Sequence, residues 1–163
     1  MQKGKILLRV TGILYILRAA LFFLICFFCA IYLMTDPLQT ELSEMGKAGI
    51  PLYLLVVLTI WLAGAFDLTV GILGVLRAAH PKRSVECLVL GVLTTMFEGF
   101  SLLGAVVVAF LMVQGGTQIW GMLGWDVLNV VIAVCYLVAA VQVRRSARQP
   151  AAAQWGYPVP PRY

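Results

Sequence analysis

Residues 20–28 read Ala-Leu-Phe-Phe-Leu-Ile-Cys-Phe-Phe, and this stretch without a charged residue decides the class of fold. A strand of a membrane β-barrel would alternate apolar and polar residues over about 10 positions, which this stretch does not do. It belongs to an apolar run from about Ile6 to Met34, and runs of about 18 or more such residues predict transmembrane helices. Three more runs of this kind follow, at about 51–79, 85–113 and 119–143.

The composition of the whole chain agrees with four membrane spans. Of its 163 residues, 62% are hydrophobic and only 12% are charged, whereas soluble domains carry about 45–50% apolar and roughly 25% charged residues. Such a chain has too little polar surface for a water-exposed globule. Because the connections are short, neighbouring spans must be antiparallel. We therefore predict an all-α, up-down-up-down four-helix bundle over residues 1–145, and a disordered proline-rich cytoplasmic tail over residues 146–163.

The positive charges predict the orientation of the spans. Twelve residues are basic; Lys47 falls on one side of the bundle and Arg18 within a span. The other ten fall on the opposite side: Lys3, Lys5, Arg9, Arg77, Lys82, Arg83, Arg144, Arg145, Arg148 and Arg162. By the positive-inside rule we expect both termini to be cytoplasmic, in a cell membrane. The expected partner of these cations is the layer of anionic lipid headgroups on the cytoplasmic side, and nucleic-acid binding is not needed to explain them.

The largest outer connection, residues 35–49, has the pattern of a short helix lying on the membrane. Asp36 and Pro37 suit the first positions of a helix. Leu38, Leu42 and Met45 then recur at helical spacing, which predicts an amphipathic surface helix.

Four ionisable residues lie inside the predicted spans: Arg18, Asp67, Glu98 and Asp126. Each costs about 2.5–3.5 kcal/mol at a helix centre, so the helix face on which each one lies is informative. Counted from the nearest cytoplasmic cations at about 1.5 Å per residue, Arg18 and Asp67 lie at the same depth and can pair. Glu98 lies roughly 7–8 Å higher, within reach of a long arginine side chain.

Small residues at helical spacing predict that these acids face other helices. Asp67 shares its face with Gly64, Gly71 and Gly74, and Glu98 shares its face with Ala105 and Ala109. Asn129 follows Asp126 by one turn, on a similar stripe. Small residues allow helices to approach closely, and hydroxyls such as those of Thr94 and Thr95 are expected to hydrogen-bond across the gap. We therefore predict one intramembrane polar cluster of Arg18, Asp67, Glu98, Asp126 and Asn129.

The cluster has a structural and a functional interpretation. Three acids face one arginine, so full ionisation would leave excess negative charge in a medium of low dielectric, and Glu98 is the acid expected to hold a proton. In the structural interpretation, the cluster fixes the register of the helices. In the alternative, Glu98, Asp67 and Arg18 serve a small proton- or cation-coupled transporter or channel. Binding of a lipid or small molecule between the helices is a third possibility.

The sequence offers little for catalysis. Cys26-x-x-Cys29 has the spacing of a redox pair. In the number of its spans the chain resembles the quinone-linked disulfide-forming enzymes and the vitamin K epoxide reductase type. Those enzymes place further cysteines in outer loops, and thiols in an apolar helix are inert. His80 is the only histidine, and one histidine without nearby ligands does not make a zinc site. We expect no enzyme, no cofactor and no metal.

Several apolar stretches resemble small four-span proteins of Gram-positive bacteria. They are GlyIleLeuGlyValLeuArg at 71–77, CysLeuValLeuGlyValLeu at 87–93 and TyrLeuValAlaAlaValGlnValArgArg at 136–145. The resemblance implies the four-span fold and carries no activity or site residue, because those families are functionally uncharacterised. The sequence thus favours a non-enzymatic, multipass structural or accessory protein, either a homo-oligomer or the partner of another membrane protein.

Overall fold

The computed structural model describes residues 2–35, 38–40, 42, 46–79, 85–111 and 116–148. Within these ranges the chain is helical and contains no strand. Four long helices follow one another: α1 (Gln2–Leu33), α2 (Gly49–Ala79), α3 (Val85–Leu111) and α4 (Gly116–Arg148), with a 3-10 turn at Gly46–Ala48 before α2.

Each long helix contains a segment long and apolar enough to cross a membrane, which confirms the four predicted spans. These segments are Lys3–Tyr32, Gly49–Ala79, Val85–Ala109 and Leu123–Ser146. The shortest has 24 residues, or about 36 Å of helix, against a hydrocarbon thickness of about 30 Å.

The helices extend beyond two of the predicted boundaries. α1 begins at Gln2 rather than near Ile6, and α4 continues to Arg148, past the predicted start of the tail at residue 146. The last apolar residue of a run marks the edge of the hydrocarbon layer. The helix itself can continue past this edge, because its backbone hydrogen bonds do not depend on apolar side chains. Residues 149–163 lie outside the described part of the chain.

Side chains are sorted by size in a way that suits a lipid solvent. Large apolar groups point outward, as in Phe27 (61% exposed) and Phe97 (75% exposed). The buried positions include many small or polar residues: Thr11, Ala19, Asp67, Thr94, Asn129, Ala133, Ala139 and Ala140. Since lipid tails are as apolar as leucine, helices in a membrane associate through close packing of small residues and through polar contacts.

The contacts divide the chain into two compact units, of which one is residues 12–73. In this unit, α1 and α2 run in opposite directions, because residue numbers that rise along one helix fall along the other at their contacts. Arg18 meets Asp67, Cys26 meets Val57 and Cys29 meets Tyr53.

The connection between α1 and α2 belongs to the same unit. Residues 38–40 and 42 are helical, and Leu38 and Leu42 are buried. Asp36, Pro37 and Met45 of the predicted surface helix lie outside the described residues. Gly46 has a φ of 74°, a left-handed conformation that glycine adopts without a steric penalty.

The second unit consists of residues 1–11 and 74–163. Its two long helices, α3 and α4, are also antiparallel along their contact: Ser101 bonds to Asp126, and a Cβ at Gly91 would lie 3.2 Å from Leu137 Cα. The first turns of α1 pack on the last turns of α4, where a Cβ at Gly4 would lie 3.0 Å from Gln142 Cβ. Leu8, Tyr136 and Val143 are buried in this unit.

Candidate functional site

The polar centre of unit 12–73 is an ion pair between Arg18 of α1 and Asp67 of α2. Arg18 donates from Nε to Asp67 Oδ2 at 2.5 Å and from Nη2 to Asp67 Oδ1 at 2.6 Å. The side chains are 10% and 2% exposed, respectively. Both carboxylate oxygens therefore accept a hydrogen bond from one planar guanidinium, the two-pronged geometry in which arginine binds carboxylates most strongly.

Two aromatic rings from α1 complete the surroundings of the guanidinium. Its carbon Cζ lies 5.0 Å from the centre of the Tyr15 ring and 5.8 Å from that of Phe22. These residues lie three positions before and four after Arg18, so they share its helix face. A cation within about 6 Å of an aromatic ring is attracted to it, and the attraction grows where water is excluded.

Glycines on α2 bring the two helices close enough for this pair. A Cβ at Gly71 would lie 2.7 Å from the carbonyl oxygen of Gly12 and 2.9 Å from the backbone nitrogen of Ile16. One at Gly64 would lie 3.1 Å from Phe22 Cβ. Only glycine fits such an approach of one backbone to another at Gly71. Gly64 and Gly71 thus act as the predicted packing residues of this face.

Cys26 and Cys29 lie further along the same interface. Both are free thiols, and Cys26 donates from its Sγ to the carbonyl oxygen of Val57 at 3.6 Å. Tyr53 donates its hydroxyl to the carbonyl oxygen of Cys29 at 2.8 Å. In this arrangement the backbone carbonyl of Cys29 contributes to the contact between α1 and α2.

The remaining predicted site residues belong to the other unit. Glu98 is half-buried on α3, 13 positions from each end of that helix. Asp126 is half-buried on α4 and accepts a hydrogen bond from the exposed Ser101 at 3.3 Å. Asn129 is 5% exposed. The structure therefore brings Arg18 to Asp67 within one unit, while a single cluster that also includes Glu98, Asp126 and Asn129 stays a prediction.

The predicted packing residues of this second unit differ in burial. Gly74 is buried, and Ala105 and Ala109 are half-buried. The expected hydrogen bonds across the gap are wrong for two hydroxyls: Thr94 donates to the carbonyl of Leu90 and Thr95 to that of Gly91, both in their own helix. A threonine hydroxyl in a helix reaches the carbonyl four positions earlier, and here both hydroxyls form that local bond rather than one to a neighbouring helix.

A second ion pair joins α2 to α3 across their connection. Arg77 donates from Nη2 to Glu86 Oε2 at 2.6 Å and from Nε to the same oxygen at 3.0 Å. The arginine lies in the last turn of α2 and the glutamate in the first turn of α3, where each charge suits the helix dipole. Next to it, the buried Cys87 has a side-chain hydrogen bond with Tyr136.

Sequence reasoning missed this second pair, although the signal was present. Arg77 was used only as a topology signal, and Glu86 was assigned no role. A cation at the end of one helix and an acid at the beginning of the next, separated by few residues, is the pattern that could have predicted the pair. In the described part of the chain, no group of three or more histidine, cysteine or acidic side chains could hold a metal ion.

The fold defines the class of the protein: an all-helical chain whose four long apolar helices are compatible with a multipass membrane protein. No protein-family model, curated protein or solved structure matches this chain.

Proposed function

We propose that this chain is a non-enzymatic, multipass protein of the cell membrane, with a structural or accessory role, in which the Arg18–Asp67 pair locks the first helical hairpin. Its four helices run up-down-up-down, and both termini are cytoplasmic. The observation that carries the proposal is the two-pronged, almost fully buried ion pair.

The geometry of the pair favours a lock over a carrier of protons or cations. Both oxygens of Asp67 are occupied by the Arg18 guanidinium, and two rings lie beside that guanidinium. A carboxylate that exchanged a proton or bound a metal cation would need to give up at least one of these bonds. Because an unpaired charge at this depth costs about 2.5–3.5 kcal/mol, the pair favours a closed hairpin.

Two observations support the orientation. Ten of the twelve basic residues fall on the side assigned to the cytoplasm, which is the pattern of the positive-inside rule. The contact of Gly4 with Gln142 places the beginning of α1 beside the end of α4, as a chain with both termini on one side requires.

An accessory role implies a protein partner, either a second copy or another membrane protein. The exposed surface of α3 and α4 offers room for one. Nothing lies within 4 Å of a Cβ placed at Gly99, Gly104, Gly121 or Gly124, and helices in membranes approach one another at such small residues.

One observation favours a second candidate, a proton- or cation-coupled transporter or channel. Glu98 occupies the midpoint of α3, where an acid is most expensive and is a functional-site candidate by default. In this alternative Glu98 carries the proton or cation.

Flux measurements on the full-length chain separate the two. Wild type, Glu98→Gln and Asp67→Asn are reconstituted in liposomes containing a pH-sensitive dye, and a pH or potassium gradient is applied. We expect the same dye response as in protein-free liposomes for all three, together with a lower unfolding free energy for Asp67→Asn. A flux through the wild type that Glu98→Gln abolishes would overturn the lock and establish the transporter.

A further inference from the structure

The contact between the first turns of α1 and the last turns of α4 is surrounded by cations. Lys3 and Lys5 flank Gly4, and Arg144 and Arg145 follow Val143, so each begins within about 5 Å of the contact along its helix. Arg9 lies one turn after Lys5. Lys5 and Arg144 are half-buried, whereas the other three are exposed. The contact thus brings five cations from the two helix ends into one region, and we call Lys3, Lys5, Arg9, Arg144 and Arg145 the basic cluster.

This basic cluster has no acid to neutralise it among the described residues. The ion pairs in that part of the chain are Arg18–Asp67 and Arg77–Glu86, and neither includes a residue of the cluster. On α4, the acid Asp126 lies 18 positions before Arg144, or about 27 Å along the helix. Like charges held together raise the free energy of the folded chain, and an anion bound among them removes that cost.

Apolar side chains next to the cluster indicate what kind of anion fits. Ile6 (60% exposed) and Val10 (49%) lie between and after the cations of α1, and Val138 (44%) lies on α4 before Arg144. A ligand with a phosphate at one end and hydrocarbon chains at the other would satisfy both surfaces. A free phosphate would leave the apolar surface unused.

We propose that the basic cluster and its apolar border bind one anionic phospholipid, with the lipid phosphate between the ends of α1 and α4. The proposal rests on the membrane placement proposed above. It goes beyond general attraction to a negative surface, because it requires that the two helix ends be held together.

The test counts phospholipid bound to the full-length protein in neutral detergent micelles by native mass spectrometry, with phosphatidylglycerol and phosphatidylcholine as probes. Lys5→Gln/Arg144→Gln removes two cations of the cluster. Lys82→Gln/Arg83→Gln removes the same charge from the connection between α2 and α3. Gly4→Leu keeps every charge, but its side chain cannot fit where Gln142 Cβ lies 3.0 Å from a Cβ at Gly4.

We expect phosphatidylglycerol to bind more tightly than phosphatidylcholine. Because each cation near an anionic lipid contributes about fivefold in affinity, Lys5→Gln/Arg144→Gln should weaken phosphatidylglycerol binding by roughly 25-fold. The Lys82→Gln/Arg83→Gln control should weaken it by less than about fivefold. Gly4→Leu should weaken it although the net charge is unchanged, with helicity checked by circular dichroism.

Three results would overturn the proposal: equal losses in the two double variants, unchanged binding in Gly4→Leu, or displacement of the lipid by inorganic phosphate at equal concentration. The last result would mean that the acyl chains contribute nothing. None of these variants touches Arg18, Asp67 or Glu98, so failure here leaves the flux and stability tests of the proposed function unaffected.

Discussion

The Arg18–Asp67 pair makes a quantitative prediction about stability. Each partner shields the other from a surrounding of low dielectric, so removing one leaves an uncompensated charge. Breaking a buried ion pair on one side costs about 3–5 kcal/mol in soluble proteins, and a lone charge in a helix centre costs about 2.5–3.5 kcal/mol on membrane-insertion scales. The side chains are only 10% and 2% exposed, so solvent screening reduces these values little.

We therefore expect Arg18→Met and Asp67→Leu each to lower the free energy of unfolding by about 2.5–5 kcal/mol. The double variant Arg18→Met/Asp67→Leu removes both charges together and replaces them with apolar groups. Replacing a whole buried pair in this way is often neutral, so the double variant should lie within about 1 kcal/mol of wild type.

The assay is reversible unfolding in mixed detergent micelles with increasing dodecyl sulfate, followed by circular dichroism and by the fluorescence of Trp61, which packs against Phe23. Leu17→Met is the matched control, because it changes an exposed side chain of the same helix and should change stability by no more than about 0.5 kcal/mol. If the two single losses add in the double variant, the partners act independently and the reasoning is refuted.

Three further predictions use the same assay. Gly71→Val should lower the free energy of unfolding by at least about 1 kcal/mol and up to about 3 kcal/mol, since a Cβ there would lie 2.7 Å from a backbone oxygen of α1. The control Gly99→Val should be nearly neutral, because nothing lies within 4 Å of a Cβ at Gly99. Equal losses in the two variants would contradict the close approach of α1 and α2. Glu86→Gln removes the ion pair with Arg77. Because the Glu86 side chain is 52% exposed, the free energy of unfolding should fall by only about 0.2–1 kcal/mol, and by less at high salt. A larger loss would mean that this pair is shielded from water. Tyr53→Phe deletes one hydrogen bond to the backbone of α1 and should lower the free energy of unfolding by about 0.6 kcal/mol, and by at most about 1.7 kcal/mol. An unchanged free energy of unfolding would mean that this hydroxyl does not stabilise the fold.

The sequence allowed the Arg18–Asp67 pair to be predicted because a helix fixes depth. Each residue adds about 1.5 Å along the axis, so counting from Arg9 and Arg77 placed both charges at one level. Glycines at helical spacing from Asp67 then indicated its packing face. The two-pronged geometry could not be predicted, since it depends on side-chain rotamers and on the separation of the helices, which Gly71 sets.

Other parts of the site were beyond the same reasoning. Counting gives depth but not which helices are neighbours, so it could not decide whether Glu98 and Asp126 approach Arg18. The helix ends differ by a few residues from the predicted membrane spans, because hydropathy reports the edge of the lipid layer and backbone hydrogen bonds continue past it. Thr94 and Thr95 were assigned partners across the interface, but their own helices offer nearer carbonyls.

Seven cations of the described residues fall into two groups with different physical consequences. Arg18 and Arg77 each pair with an acid of another helix, so their charges are neutralised within the fold and hold helices together. Lys3, Lys5, Arg9, Arg144 and Arg145 gather where the two ends of the helical chain meet, without an acid among the described residues to oppose them. A protein that needed cations only to hold its helices together would gain from acids beside this second group as well. Leaving them unopposed raises the free energy of the isolated chain, and at the lipid site proposed above an anionic phospholipid would remove that cost.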